Sequence, residues 1–186
     1  FVGNAAGAVA ATYVQTATGT FTSLNNDLWL KEAAFEDTNA LFFDADGDGD
    51  QDLYVVSAGY ELANTSPLLQ DRLYINDGNG NFNRSNNALP KMLISGKSIA
   101  AADYNKDGDI DLFIGGNVSP KRYPETPRSY LLQNDGGKFI DLWKNNDSIS
   151  EIGMVSDAIF TDYDNDADLD LIVVGEWMAP TVLENN

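Results

Sequence analysis

The sequence contains neither cysteine nor histidine. Disulfides, zinc sites, thiol nucleophiles and histidine general bases are therefore excluded together. Basic residues are scarce as well. Lys and Arg total 11 against 29 Asp and Glu, a formal charge of −18. The phosphate-neutralising surface that nucleic acid requires is missing, so no nucleic acid is expected as a partner. No apolar run approaches the roughly 18 to 20 residues of a membrane-crossing helix, so no membrane span is expected and the chain reads as soluble. No basic stretch followed by an apolar one precedes the structured-looking sequence at Phe1, which predicts that any leader has been removed or was never included. No segment sustains a helical period; "DLWLKEAAF" alone suits a turn of helix. What remains, 186 residues of which 43% are hydrophobic, is enough for one domain with a core.

Aspartate is abundant, and its placement is regular. "DADGDGDQDL" begins at Asp44, "DYNKDGDIDL" at Asp103 and "DYDNDADLDL" at Asp162, a step of 59 residues both times. "DLYVVSAG", "DLFIGGN" and "DLIVVGE" carry on from the three acidic stretches, and "LYINDGNGNF" and "YLLQNDGGKF" come some 20 residues later. "YVQTATGTF", from Tyr13 to Phe21, matches "YINDGNGNF" at its Tyr, Gly and Phe. Self-similarity at this period marks a repeat architecture.

Each unit reads as strands. "LYVVSA", "LFIGG" and "LIVVG" are short, β-branched and aromatic, while "NDGNGN" and "NDGGK" have the residues of hairpin turns. About four strands per 59-residue unit suit a propeller blade, so the expected fold is all-β, a partial β-propeller of about three four-stranded blades. A β-solenoid is the competitor, although its turns are usually much shorter. The expected division is residues 1–24 as the end of an earlier blade, 25–86 and 87–145 as blades, and 146–186 as an incomplete one. About three units fall short of the four to eight that propellers normally close with, so the chain is expected to be a segment of a larger ring.

Five aspartates within nine positions repel one another unless a hard cation sits among them. Calcium fits best, because it accepts six to eight oxygens in flexible geometry; magnesium wants a rigid octahedron and holds its waters. In the first loop the expected side-chain ligands are Asp44, Asp46, Asp48 and Asp52, with the backbone carbonyl of Asp50. The second uses Asp103, Asn105, Asp107 and Asp111 with the carbonyl of Asp109. The third uses Asp162, Asp164, Asp166 and Asp170 with the carbonyl of Asp168. Gly49 and Gly108, at loop position 6, permit a positive-φ bend. An EF-hand is excluded, since position 12 is Val55, Ile114 and Val173, each inside a strand-like run instead of the bidentate Glu and helix that motif needs. The loops hold five, four and five acids, 14 of the 29, and three divalent ions would bring −18 to about −12.

D-x-D-x-D-G-x-x-D-L, a short strand, and then L-Y-x-N-x-G-x-G-x-F resembles the FG-GAP or VCBS-type repeat of integrin α-subunit propellers, cartilage acidic protein and many secreted or surface bacterial proteins. The resemblance covers nearly the whole chain and implies a β-propeller with a calcium ion in one loop of each blade. Two departures stand out. Ala167 replaces the loop glycine, so the third site is expected to be weaker, and Asn105 replaces an Asp, keeping an oxygen but removing a charge.

The expected function is a calcium-stabilised extracellular, cell-surface or periplasmic module that binds a protein or glycan or serves as a scaffold, adjoining further blades of the same or another chain. The expected contact surface is the long connection after each acidic loop, of which "NVSPKRYPETPR" gathers Lys121, Arg122 and Arg128 beside Tyr123. The alternative is a part of a polysaccharide-active lyase or glycosidase, for which Glu61, Glu125 and Glu176 would be the carboxylates. Catalysis within this segment is not expected. Trp29, Trp143 and Trp177 read as inter-blade core, with sugar stacking as the other possibility.

Overall fold

The computed structural model describes residues 1–24 and 27–186. The expected unit boundary at residue 25 lies outside the described residues. β1 (Thr12–Gln15) and β2 (Phe21–Leu24) form a hairpin, followed by the short helix α1 (Asp27–Lys31). β3 (Glu36–Phe43), β4 (Asp52–Ala58), β5 (Arg72–Asn76) and β6 (Phe82–Ser85) make a four-stranded sheet in chain order. β7 (Ser95–Ala102), β8 (Asp111–Val118), β9 (Tyr130–Asp135) and β10 (Lys138–Asp141) make a second. After α2 (Asp147–Ser150), β11 (Met154–Thr161), β12 (Asp170–Glu176) and β13 (Thr181–Leu183) make a third of three strands. Among the described residues every pairing is antiparallel and no sheet closes on itself, so the molecule is a partial propeller-like all-β fold.

The 59-residue step of the sequence is carried into the strands. β3, β7 and β11 begin at 36, 95 and 154, and β4, β8 and β12 at 52, 111 and 170. The register of each first strand also slips at one equivalent place, between Asp37 and Asn39, Gly96 and Ser98, and Val155 and Asp157. These bulges turn the strands enough for neighbouring sheets to bond to one another. Thr38 Oγ1 donates to the Gly96 carbonyl at 2.9 Å, and Asn117 Nδ2 donates to the Val155 carbonyl at 3.0 Å. Close approach needs small residues here: a Cβ on Gly96 would stand 2.6 Å from Val56 Cγ1, and one on Gly115 2.5 Å from Val155 Cγ1.

Alternation along β4 and β8 builds the core, since successive side chains point to opposite faces and both faces are covered. Leu53 and Val55 of β4 pack with Trp29, Tyr74 and Phe82, while Tyr54 and Val56 meet Leu112 and Ile114 of β8. Phe113, on the other face of β8, meets Leu171 and Val173 of β12. Trp29 and Trp143 join these layers as the sequence predicts, edge-on to Tyr74 at 5.0 Å and Phe113 at 5.8 Å. Trp177 does not; it is 80% exposed. Its place, just past the end of β12 where the chain turns back, carries it away from both sheets.

One buried charge cluster was not legible beforehand. Arg72, fully enclosed, pairs with Asp37, lies 3.8 Å from Glu32 and sits 4.1 Å over the Phe35 ring. It ties the α1 region to the first sheet.

Candidate metal centres

The three acidic stretches are the turns that join the first and second strands of each sheet, so they share one end of the molecule. Their backbone is folded by their own side chains. In the first loop Asp44 accepts from the Gly47 and Gly49 N–H groups at 2.8 and 3.0 Å, and Asp48 accepts from the Asp50 N–H at 3.0 Å. In the second, Asp103 accepts from Asp107 and Gly108, both at 3.0 Å; in the third, Asp162 accepts from Asn165 and Ala167 at 2.7 and 3.2 Å. Curling the chain this tightly requires left-handed backbone twice per loop, at position 4 (Gly47, Lys106, Asn165) and at position 6 (Gly49, Gly108, Ala167). The position 6 bend follows from the sequence. The position 4 bend is a finding, hidden because Lys106 is a poor marker of it.

The outcome is a tight gathering of carboxylates. One oxygen from each of Asp44, Asp46 and Asp48 lies within 4.8 Å of the others, and Asp162, Asp164 and Asp166 do the same. Both groups could hold a metal ion. In the second loop the Asn105 side chain occupies the middle position and donates to Asp107 at 2.8 Å.

The position 9 aspartates stand differently. Asp52, Asp111 and Asp170 are buried, and each has an oxygen that accepts a backbone N–H from an asparagine at or just past the end of the third strand of its sheet: Asn76 at 2.8 Å, Asn134 at 2.8 Å and Asn185 at 2.9 Å. The second oxygens of Asp52 and Asp170 accept from Ala45 and Tyr163, at 2.9 and 2.8 Å. The Tyr104 N–H faces Asp111 in the same way, although Asp111 Oδ2, the corresponding buried atom, makes no well-formed hydrogen bond. Burial pushes the Asp111 carboxyl up to about 6, partly offset by the Asn134 N–H. Asp170 is held below the usual range by the N–H groups of Asn185 and Tyr163.

The position 7 side chains, expected to serve only through their carbonyls, each do something different. Asp50 Oδ1 is buried and unpartnered, and its carboxyl is pushed up by burial and then by repulsion from Asp48, Asp46 and Asp44. Asp109 accepts from the Gly136 N–H at 3.0 Å. Asp168 forms an ion pair with Lys106 of the neighbouring loop. The orphaned Asp50 oxygen beside clustered acids is what an oxygen-seeking cation would satisfy, so the residues present fit such an ion.

Asparagine completes the arrangement. Asn134 Nδ2 donates to the Ala45 carbonyl of the first loop at 2.9 Å, across 89 residues, and Asn185 Nδ2 donates to the Tyr104 carbonyl of the second at 3.0 Å, across 81. Each asparagine thus bonds through its backbone to its own sheet's loop and through its side chain to the preceding one. The Asn before a glycine turn is the visible signal for Asn134, whereas no glycine follows Asn185 in the sequence. Of the glutamates considered for catalysis, Glu125 is paired with Arg122, Glu61 stands exposed on the β4–β5 connection, and Glu176 is the exposed last residue of β12.

Residues 44–114, a span containing the first and second acidic loops, match the family described as FG-GAP-like repeat, and that segment is a repeat of this type. No curated protein matches the chain.

Proposed function

We propose that the chain is a calcium-stabilised binding and scaffold module that works outside the cell, at its surface or in the periplasm. The observation that carries this reading is the pair of preformed carboxylate triads. In the first loop Asp44, Asp46 and Asp48 would hold the ion with the Asp50 carbonyl, backed by Asp52; Asp103, Asn105, Asp107, the Asp109 carbonyl and Asp111 would do so in the second. Asp162, Asp164, Asp166, the Asp168 carbonyl and Asp170 form the third set. Bound there, the ion would supply positive charge and cross-link the turn. Calcium is favoured over magnesium because the loops offer many oxygens on flexible backbone, and such open, charged loops suit the millimolar calcium of external compartments.

On this reading the protein's own residues set the geometry, and the opposite end of the sheets carries the recognition surface, for a protein or glycan ligand. Further blades of the same or another chain would pack on the exposed sheet faces. A ligand that binds the folded state alone stabilises it by mass action, so saturating Ca²⁺ should raise the melting temperature and EGTA should lower it. Superimposable melting curves in Ca²⁺ and EGTA would sink the assignment.

A further inference from the structure

Trp177 stands in solvent at 80% exposure, on a backbone that does not suit it. Its φ is +56°, a left-handed conformation that a bulky side chain rarely adopts. A large ring held in water on strained backbone adds nothing to the core, and strain of this kind concentrates where a protein binds something. The ring is also fixed in place: Nε1 donates to the Tyr123 hydroxyl at 2.8 Å, and Tyr123 is itself 51% exposed. Tyr123 belongs to the long β8–β9 connection and Trp177 to the β12–β13 turn, so the pair bridges two sheets at the end opposite the acidic loops.

The surroundings narrow the partner. Lys121 and Arg122 immediately precede Tyr123, and both are exposed; Arg122 pairs with Glu125 at the surface, while Lys121 forms no ion pair among the described residues and is itself left-handed at φ +61°. In a chain of charge −18 these are cations adjacent in sequence to Tyr123, with Arg122 compensated by Glu125, and the exposed Glu176 precedes Trp177. The indole N–H is already committed, which leaves the ring face as the recognition element. A flat aromatic face presented on an open surface matches the C–H face of a pyranose, and a ring immobilised beforehand loses little freedom on binding.

We propose that Trp177 and Tyr123 form a carbohydrate-stacking platform, with Lys121 and Arg122 selecting sugars that carry a carboxylate. The inference deepens the reading of the chain as a binding module and rests on it, but it does not depend on the metal.

Trp29 and Trp143 are buried, so a ligand-induced change in tryptophan emission reports on Trp177. The intact chain in Ca²⁺ is titrated with hyaluronan hexasaccharide, and with chitohexaose as the neutral comparison. The expected result is a saturable blue shift with the hyaluronan oligosaccharide and weaker binding of chitohexaose. Trp177→Ala should abolish the response, and Tyr123→Phe, which removes the anchoring hydrogen bond, should weaken binding about fivefold. Trp177→Gly should melt higher than the parent, because glycine tolerates the left-handed position, and yet fail to bind. An emission unmoved by either sugar overturns the proposal, as does binding that survives Trp177→Ala. Equal affinity for the two sugars overturns the role given to Lys121 and Arg122. Sugar binding that persists while Ca²⁺ and EGTA give the same melt would defeat the calcium reading and leave this one standing.

Discussion

Ala167 shows how one residue can set apart one of three equivalent loops. It sits at φ +75° where the other two loops have Gly49 at +92° and Gly108 at +98°. A Cβ at either glycine would meet nothing within 4 Å, so the penalty is backbone strain alone, on the order of 1 kcal/mol. Ala167→Gly should therefore tighten calcium at the third loop by up to roughly tenfold; calorimetry showing three equal sites before and after the change would contradict this. Asp71 is the other residue with a sharp consequence. It is buried, accepting from the Ser57 N–H at 2.8 Å and the Tyr54 hydroxyl at 2.9 Å, and burial pushes its carboxyl up to about 7. The folded state thus keeps a proton that the unfolded chain releases near its ordinary value of 3.8. The contribution is fully present below that value and is lost as pH rises through about 7, each pH unit being worth up to about 1.4 kcal/mol. Asp71→Asn, which holds the neutral form, should flatten the melting temperature between about pH 5 and pH 8 and raise it at the upper end.

Among the elements, the short segments at the ends of β5, β9 and β13 matter more than their length suggests. Asn134 is 2% exposed; its side chain holds the Ala45 carbonyl and accepts from the Gly137 N–H at 2.9 Å. Removing it leaves two groups without partners, at a cost of roughly 1–3 kcal/mol. Asn134→Ala should accordingly lower the melting temperature and weaken calcium at the first loop, although the residue belongs to the second sheet; an unchanged first-loop affinity by calorimetry would show that the loops act independently. The strands and their acidic turns were legible because their signals are local: short β-branched and aromatic runs bounded by turn residues, and carboxylates at fixed offsets. The asparagine bridges were not. They join residues more than a unit apart, and only the packing of one sheet beside the next reveals which carbonyl each amide meets. Arg72 was hidden for a similar reason, since its carboxylate partners are Glu32, just past α1, and Asp37 of β3.

For the molecule as a whole, the dominant quantity is the charge of −18, concentrated in loops that share one end. Mutual repulsion there opposes folding and is screened by salt over a Debye length of about 10 Å at 0.1 M. Raising ionic strength should therefore raise the melting temperature in EGTA and change it much less in saturating Ca²⁺; equal salt slopes in both would mean that the loops are not where the repulsion resides. The all-β class and the repeat length were plain from sequence, whereas the exposure of Trp177 was not, because a tryptophan in a short repeat resembles core until the turn that carries it is seen. The alternation of the central strands has one more effect. Leu53, Leu112 and Leu171 all look toward the sheet before their own, while Tyr54 and Phe113, the residues after the first two, look toward the sheet that follows. The stack consequently has a sense, like nested cups, and its two outer faces are different surfaces. Any layer added beyond β12, where Val174 is 39% exposed, must present the leucine-type face to it. A twofold pairing of like faces would set the wrong surfaces against each other, so association through these faces can proceed only head to tail.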